Sequence, residues 1–385
     1  MDTVTSTYCI NPILLKWARE SIGYSVEQAA NKLKVDVGEL TKWERGETET
    51  PIKKIRKLSE VYKRATTVFL LNSIPDENIS PSFRKLLYTN IKSFTPETII
   101  AVRKAIRIQT LAKDVLDFSN NQFLAKAKVL ANNNHDETLS NSIVDLLGLD
   151  EKKLTGNKNP YEQLNIWKTA LESKGIYVLE LGFPKDESLG FAIYDKKAPI
   201  IVLNTNDYPR SRIFTLLHEL GHFIFNGDAI DDSHTILNFT SADSLEIKCN
   251  FFAGACLIPE KFIKEKIHLL RLDPKNDLEV CVSTLVRIFN VSSQVVLRRL
   301  YTLSYIEKPQ FTAFNKTLKE GFSQLPEKQE KATGGNFYIK FTKNNSKTFI
   351  YDVLDAYRLN KISHFDVLDF LNIKNSTLAK LESRL

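Results

Sequence analysis

Near its start the chain places apolar side chains at helical spacing in short segments that polar turns separate. The segment "SVEQAANKLK" keeps Ala29, Ala30 and Leu33 on one face. Ser25 and Gln28 have the spacing of a reciprocal N-terminal cap, in which each side chain bonds the backbone of the other. The pattern predicts a short amphipathic helix.

A second segment follows after the turn "KVDV". Asp36 can cap it, Leu40 and Trp43 fall on its inner face, and Gly46 ends it. Two short helices joined by a tight turn predict a helix-turn-helix.

The middle of the chain changes period. "TPETIIAVRKAIRIQTLAKDVLDF" predicts a long helix from Thr95, whereas "ANNNHDETLS" and "GNKNPYE" predict exposed loops. Beyond them, "GIYVLEL", "LGFAIYD" and "PIIVLN" are short β-rich runs that predict a small sheet. "SRIFTLLHELGHFIF" then returns to helical spacing, with its core face at Ile213, Leu216, Leu217, Leu220 and Ile224.

After Pro259 the pattern is helical again. "STLVRIFNVSSQVVLRRLYTL" and "KISHFDVLDFLNIKNSTLAKL" repeat the helix-turn-helix pattern, the latter with Ser363 and Asp366 spaced as a capping box. Between them "GGNFYIKFTKNNSKTFIYD" predicts a β-hairpin that turns at Asn344 and Asn345.

These patterns predict a mainly α fold with a small β-sheet, of the α+β class. We expect an all-α helix-turn-helix domain over residues 1–75 and a helical linker over 76–160. A sheet-containing domain over 161–310 and a helical C-terminal region with a hairpin over 311–385 follow.

The composition indicates the class of protein and the compartment in which we expect it. With 385 residues, 43% hydrophobic and 26% charged, the chain has the balance of a multidomain globular protein. It has neither an apolar run long enough to span a bilayer nor a leader-like start, and its four cysteines form no CxxC pair, so we expect a reducing cytoplasm. The net charge of +7 permits a nucleic-acid partner without indicating one.

The five residues "HELGH" carry the clearest chemical signal. His218 and His222 stand four apart on a helix, so both imidazoles face the same side and can bind one metal ion. Glu219 is placed to act as a general base without being a ligand. Gly221 either lets another element approach closely or is a tolerated helix glycine.

A catalytic zinc site needs a third protein ligand. Glu246, in the helical stretch "SLEIKCNFFAGACLIPE", is our choice because it shares a face with Asn250 and Ala253, and the small Ala253 and Gly254 would let this stretch pack tightly against the first helix. Three other side chains compete for the role of third ligand: Asp243, His234 and Cys249. Ahead of the motif, Tyr208, Arg210 and Arg212 are expected to have exposed turn or salt-bridging roles.

"RIFTLLHELGHFIF" together with "ExxCNxFAxxxLIP" resembles the ImmA/IrrE family of zinc metallo-endopeptidases, and "WERGE" with its flanking helices resembles the helix-turn-helix domain of lambda-repressor and Cro relatives. The resemblance implies a zincin-like domain holding one Zn²⁺ per chain. It implies His218, His222 and Glu246 as ligands and Glu219 as general base. Its implied activity is site-specific cleavage of a repressor protein, which relieves repression.

A second hypothesis is a DNA-binding regulator whose zinc domain is sensory or structural. The candidate DNA or partner contacts lie on and after the second helix: Glu39, Thr41, Lys42, Arg45, Lys53 and Lys54. Val26 stands where repressors carry a polar residue, and residues 1–73 hold 12 basic and 9 acidic side chains, a net of +3. A third interpretation therefore stays open, in which this domain forms a dimer or binds a protein, such as the repressor that is to be cleaved.

Overall fold

The computed structural model describes residues 10–75, 94–115, 121–133, 137–156, 159–225, 244–324 and 337–382. The chain divides into two compact units, residues 1–104 and 105–385.

The first unit is built from short helices. They are α1 (Pro12–Ser21), α2 (Val26–Leu33), α3 (Val37–Arg45), a 3₁₀ turn (Ile52–Lys54), α4 (Ile55–Tyr62), a second 3₁₀ turn (Thr66–Leu70) and the start of α5 (Pro96–Val115).

The helix ends in this unit are fixed by local capping. Ser25 and Gln28 form the predicted capping box, and Asp36 accepts from the backbone N–H groups of Gly38 and Glu39. Gly46 ends α3 in the left-handed region with φ 71°. The predicted helix-turn-helix is confirmed, and so is the long helix that begins after Thr95.

A buried ion pair, which the sequence patterns did not indicate, joins α1 to α3. The Arg19 Nε lies 2.7 Å from Glu44 Oε1, and Arg19 Nη1 donates to the Tyr24 carbonyl at 2.8 Å. Arg19 is 7% exposed, so both charges are withdrawn from water and each needs the other.

The second unit contains a three-stranded sheet. Strands β1 (Tyr177–Leu181), β2 (Gly190–Ile193) and β3 (Ile200–Asn204) lie in the order β1-β3-β2. β1 runs parallel to β3 and β2 antiparallel to it. Every residue of the three strands is buried, which explains why the strands are apolar apart from Glu180 and Asn204.

Helices surround this sheet. They are α6 (Gln122–Asn133), α7 (Glu137–Leu146), α8 (Glu151–Leu154), α9 (Pro160–Glu172), α10 (Pro209–Phe225), α11 (Ser244–Leu257), α12 (Glu260–Leu269), α13 (Leu278–Phe289), α14 (Ser293–Thr302), α15 (Lys308–Gln324), α16 (Phe337–Asn345), α17 (Lys347–Arg358), α18 (His364–Leu371) and α19 (Asn375–Glu382). The predicted α+β class is confirmed.

The segment expected to be a linker contributes to the core of this unit. Phe123 and Leu124 of α6 and Leu139 and Ile143 of α7 belong to the same hydrophobic cluster as the sheet and α10. An exposed loop was expected in "ANNNHDETLS", but residues 131–133 end α6 and residues 137–140 begin α7, while residues 134–136 lie outside the described residues.

The predicted hairpin at Asn344 and Asn345 is wrong, because both flanks are helical. Phe337 and Phe341 stack one helical turn apart, with ring centroids 5.7 Å apart. Between α16 and α17, Ser346 adopts φ 61°, its hydroxyl donates to Glu172 at 2.5 Å, and the next backbone N–H donates to the same carboxylate at 3.1 Å. A carboxylate from α9 thus caps α17, a tertiary contact that local turn preferences cannot reveal.

In the part of the chain that the structure describes, each helix alone is too short or too polar to cross a bilayer. Helices α13 and α14, which are bent by 111° relative to each other, reach the required length and hydropathy only when the two are counted as one segment.

Candidate metal centre

Helix α10 turns its apolar face into the core. The five residues predicted to form that face are at most 3% exposed: Ile213, Leu216, Leu217, Leu220 and Ile224. His218 and His222 lie off this face, with 16% and 14% of their side chains exposed. The helix therefore holds both imidazoles rigidly at the surface of a packed core.

Helix α11 approaches α10 at Gly221. A β-carbon on Gly221 would lie 3.2 Å from the Cys249 α-carbon and 3.2 Å from its sulfur. A side chain at this position would require α11 to move by a few tenths of an ångström, so Gly221 is used for close helix packing. Cys249, considered as a ligand, is a fully buried packing residue, and burial raises the pKa of its thiol.

The packing of α10 on α11 brings three donor groups together. Nε2 of His218 and Nε2 of His222 are 3.1 Å apart. The Glu246 carboxylate completes the triangle at 3.2 Å from each imidazole, through Oε2 to His218 and Oε1 to His222. A tetrahedral zinc ion with ligand distances of about 2.0–2.1 Å holds its ligand atoms about 3.3 Å apart. These three side chains therefore fit one tetrahedral metal ion with a position left open.

A further contact orients one imidazole. Nδ1 of His218 lies 3.1 Å from Oδ1 of Asn250, one turn beyond Glu246 on α11. If Nδ1 carries the proton and donates to Asn250, Nε2 presents its lone pair to a metal. The sequence placed Asn250 on this face but indicated no role for it.

Burial sets the charge state of the site. Burial lowers the pKa of His218, and the hydrogen bond with Asn250 partly offsets this shift. Burial and the neighbouring His218 lower the pKa of His222 to about 4. Both imidazoles are thus neutral near pH 7, the form that binds metals. Burial, aided by the charge of Glu246, raises the pKa of Glu219 to about 8.

The start of α10 is anchored by a buried ion cluster. Glu180 of β1 pairs with Lys168 of α9 and, at 2.7 Å, with Nη1 of Arg212. Arg212 is 4% exposed, so the expected exposed role for it is wrong. Its neighbours follow the expectation more closely: Tyr208 is 52% exposed, and Arg210 donates to Asn290.

Gly254 has a different partner from the one expected. A β-carbon there would lie 3.3 Å from Cδ of Arg299 on α14, so this glycine makes room for α14, whereas Gly221 serves the α10 contact. The competing ligands His234 and Asp243 lie outside the described residues.

The candidate nucleic-acid or partner contacts belong to the first unit and take no part in the metal centre. Thr41 and Lys54 are half-buried, and the Thr41 hydroxyl donates to the Val37 carbonyl at 2.8 Å. The exposed members of the set are Glu39, Lys42, Arg45 and Lys53.

Comparison with known families matches both regions. Residues 171–301 match the family described as IrrE N-terminal-like domain, and residues 15–69 match a helix-turn-helix family. The chain therefore carries a helix-turn-helix domain followed by an IrrE-like peptidase domain.

Two curated relatives cover parts of the chain. The Uncharacterized immunity region protein 2 of Bacillus phage phi105 is 33% identical over 79 residues, which is 20% of this chain and 50% of that protein. The Radiation response metalloprotease IrrE of Deinococcus radiodurans is 32% identical over 107 residues, which is 26% of this chain and 33% of that protein. The matches span half or less of the length of each relative.

Proposed function

We propose that this chain, with an IrrE-like domain following a helix-turn-helix domain, is a zinc-dependent site-specific endopeptidase that cleaves a repressor-type transcription regulator and so relieves repression. The observation that carries the proposal is the triangle of His218, His222 and Glu246 donor atoms, at 3.1–3.2 Å separations. Asn250 supports it by fixing the His218 ring.

The ligand set selects the metal and the chemistry. Two neutral imidazoles and one carboxylate are the donor types of catalytic zinc sites that keep a position open. His218, His222 and Glu246 would hold one zinc ion, and the chemistry it would supply is Lewis acidity toward a scissile carbonyl and water.

Glu219 is the proposed general base. Burial raises the pKa of Glu219 to about 8, and a cation held by the neighbouring ligands would lower it, because an opposite charge favours the carboxylate. The ionised side chain accepts the proton of the attacking water and later delivers it to the leaving amine.

The choice of a repressor as substrate rests on the accompanying domain and on the relatives. The first unit has the helix-turn-helix fold that repressors use. One relative is named for a phage immunity region and another as a radiation response metalloprotease, and cleavage of a repressor is our proposal for a protease with such relatives.

The test compares cellular proteins after expression of the wild-type chain and of Glu219→Gln. The variant should keep about one zinc ion per chain and lose proteolysis, so a repressor fragment should appear only with the wild type. Glu279→Gln, an exposed carboxylate on α13, is the matched control and should cut like the wild type. Cleavage by Glu219→Gln at the wild-type rate would refute the mechanism.

A second candidate function is DNA binding by the first unit, with the metal domain acting as sensor. The exposed side chains of Lys42, Arg45 and Lys53 on and after α3 favour it. Affinity for operator DNA should fall steeply with salt if these residues meet phosphates. The absence of binding even at low salt would remove this candidate.

A further inference from the structure

A groove next to the metal centre is formed by one face each of two helices. Helix α11 contributes residues at helical positions i, i+3, i+4 and i+7: Ile247, Asn250, Phe251 and Gly254. Asn250 is the residue that contacts His218, so the groove and the metal centre share a side chain.

Helix α14 forms the opposite wall with the same spacing: Val295, Arg298, Arg299 and Thr302. Phe214 of α10 closes the groove toward the metal centre, where its ring lies 6.2 Å from the His218 ring, centroid to centroid. The groove therefore begins next to His218, with which both Asn250 and Phe214 are in contact.

The walls determine what the groove accepts. Phe214, Ile247, Phe251 and Val295 give it a mostly apolar surface. The charge of the buried Arg299 is opposed by Glu137 at 2.6 Å, so the groove interior carries no net positive charge from this side chain. The exposed Arg298 guanidinium lies over the Phe311 ring.

The volume sets the size of the occupant. The groove holds about 100 Å³. An enclosed apolar cavity of about 150 Å³ accommodates benzene, so this groove suits an aliphatic side chain and is too small for an indole ring.

We propose that this groove is the specificity subsite of the peptidase and that it takes an aliphatic side chain of Val, Leu or Ile size beside the scissile bond. This inference rests on the proposed endopeptidase function and adds the substrate class.

The first measurement is a binding experiment that needs no catalysis. Leucine, glycine and aspartate hydroxamates, which bind zinc through the hydroxamate, are titrated calorimetrically into the zinc-loaded full chain. Leucine hydroxamate should bind about tenfold or more tightly than the other two, as expected for the loss of aliphatic carbons from an apolar pocket. Equal affinities, or tighter binding of aspartate hydroxamate, would overturn the proposal.

Two variants change the groove in opposite directions. Thr302→Phe adds a ring at an exposed wall position and should abolish the preference for leucine, while Ile247→Ala removes an aliphatic wall and should weaken it. Val129→Phe, on the exposed surface of α6 and outside the groove, is the control and should keep the wild-type preference. A leucine preference unchanged in both groove variants would also overturn the proposal.

Cleavage-site profiling on a peptide library separates the two proposals. Zinc-loaded wild type should enrich Leu, Ile and Val at one position beside the cut, and Thr302→Phe should shift that position to Ala and Ser. Cleavage without any preference there would reject the subsite and leave the endopeptidase standing. Leucine-selective hydroxamate binding without peptide cleavage would reject the endopeptidase and leave the subsite standing.

Discussion

Gly221 on α10 and Cys249 on α11 meet so closely that an added β-carbon would lie 3.2 Å from a backbone atom of the other helix. In Gly221→Ala the helices must move apart, which costs about 1–3 kcal/mol and is only partly offset by the roughly 1 kcal/mol gain in helix propensity. We expect a lower unfolding temperature and weaker zinc binding, because the same packing sets the position of Glu246.

Gly38→Ala is the control for this variant. It lies in the first turn of α3, away from the metal centre, so it should leave zinc affinity unchanged, although a β-carbon there would lie 3.0 Å from the Asp36 oxygen that caps α3. A Gly221→Ala protein with wild-type zinc affinity and higher stability would contradict the role given to this contact.

Asn250 should matter for metal affinity although it is not a ligand. Asn250→Ala removes the acceptor of His218 Nδ1 and should weaken zinc binding about 10- to 100-fold, as loss of such supporting partners usually does. Asn250→Asp keeps an acceptor oxygen and should restore most of the affinity. Competition with a zinc chelator measures both, and equal affinities for the Ala and Asp variants would exclude an orienting role.

The buried ion cluster at the start of α10 should be essential for stability. Arg212→Ala leaves Glu180 buried with Lys168 as its remaining close partner, and breaking a buried pair in this way costs about 3–5 kcal/mol. Arg210→Ala, two residues earlier and half-buried, loses one hydrogen bond to Asn290 and should cost about 1 kcal/mol. Chemical denaturation measures both, and similar losses for the two variants would refute this assignment.

Asp352 should make stability depend on pH. Burial raises the pKa of Asp352 to about 6, and the charge of Asp355 adds to the rise. The hydrogen bond that the Tyr177 hydroxyl donates to Asp352 acts in the opposite direction. Because the folded state holds this proton more tightly than the unfolded state, the contribution of Asp352 to stability is full below pH 3.8 and is lost as the pH rises through 6.

Replacing Asp352 with Asn removes this pH dependence. The stability of Asp352→Asn relative to wild type should therefore improve by about 1–2 kcal/mol between pH 4 and pH 7. Asp145→Asn, an exposed carboxylate on α7, is the control and should show little change over that range. An identical pH profile for wild type and Asp352→Asn would show that burial does not perturb this carboxyl.

Local patterns predicted the elements whose signals are themselves local. The Ser25 and Gln28 capping box, the core face of α10 and the three buried strands follow from spacing and residue type alone. The pairing of Glu246 with the two histidines was predicted as a choice among competitors, and its role as a ligand stays a prediction.

Sequence patterns could not predict the features that depend on tertiary contacts. The Asn-rich turn signal at 344–345 was outweighed by Glu172, which lies 172 residues before Asn344 and caps the following helix. We expected Arg212 to be exposed because the residues near it in the sequence do not indicate its ion pair with Glu180. Asn250 shared a helix face with Glu246, but only the approach of α10 gives it a partner.

The Glu172 carboxylate has a consequence for how the protein can be divided. It is 7% exposed and accepts hydrogen bonds from the Ser346 hydroxyl and the Lys347 backbone N–H. Trimming the chain to residues 161–310 would remove those donors, along with the Phe349 ring that packs edge-on against Tyr177 of β1. The last helices therefore supply part of the packing around the sheet, and a fragment that ends at residue 310 should be less stable than the full chain.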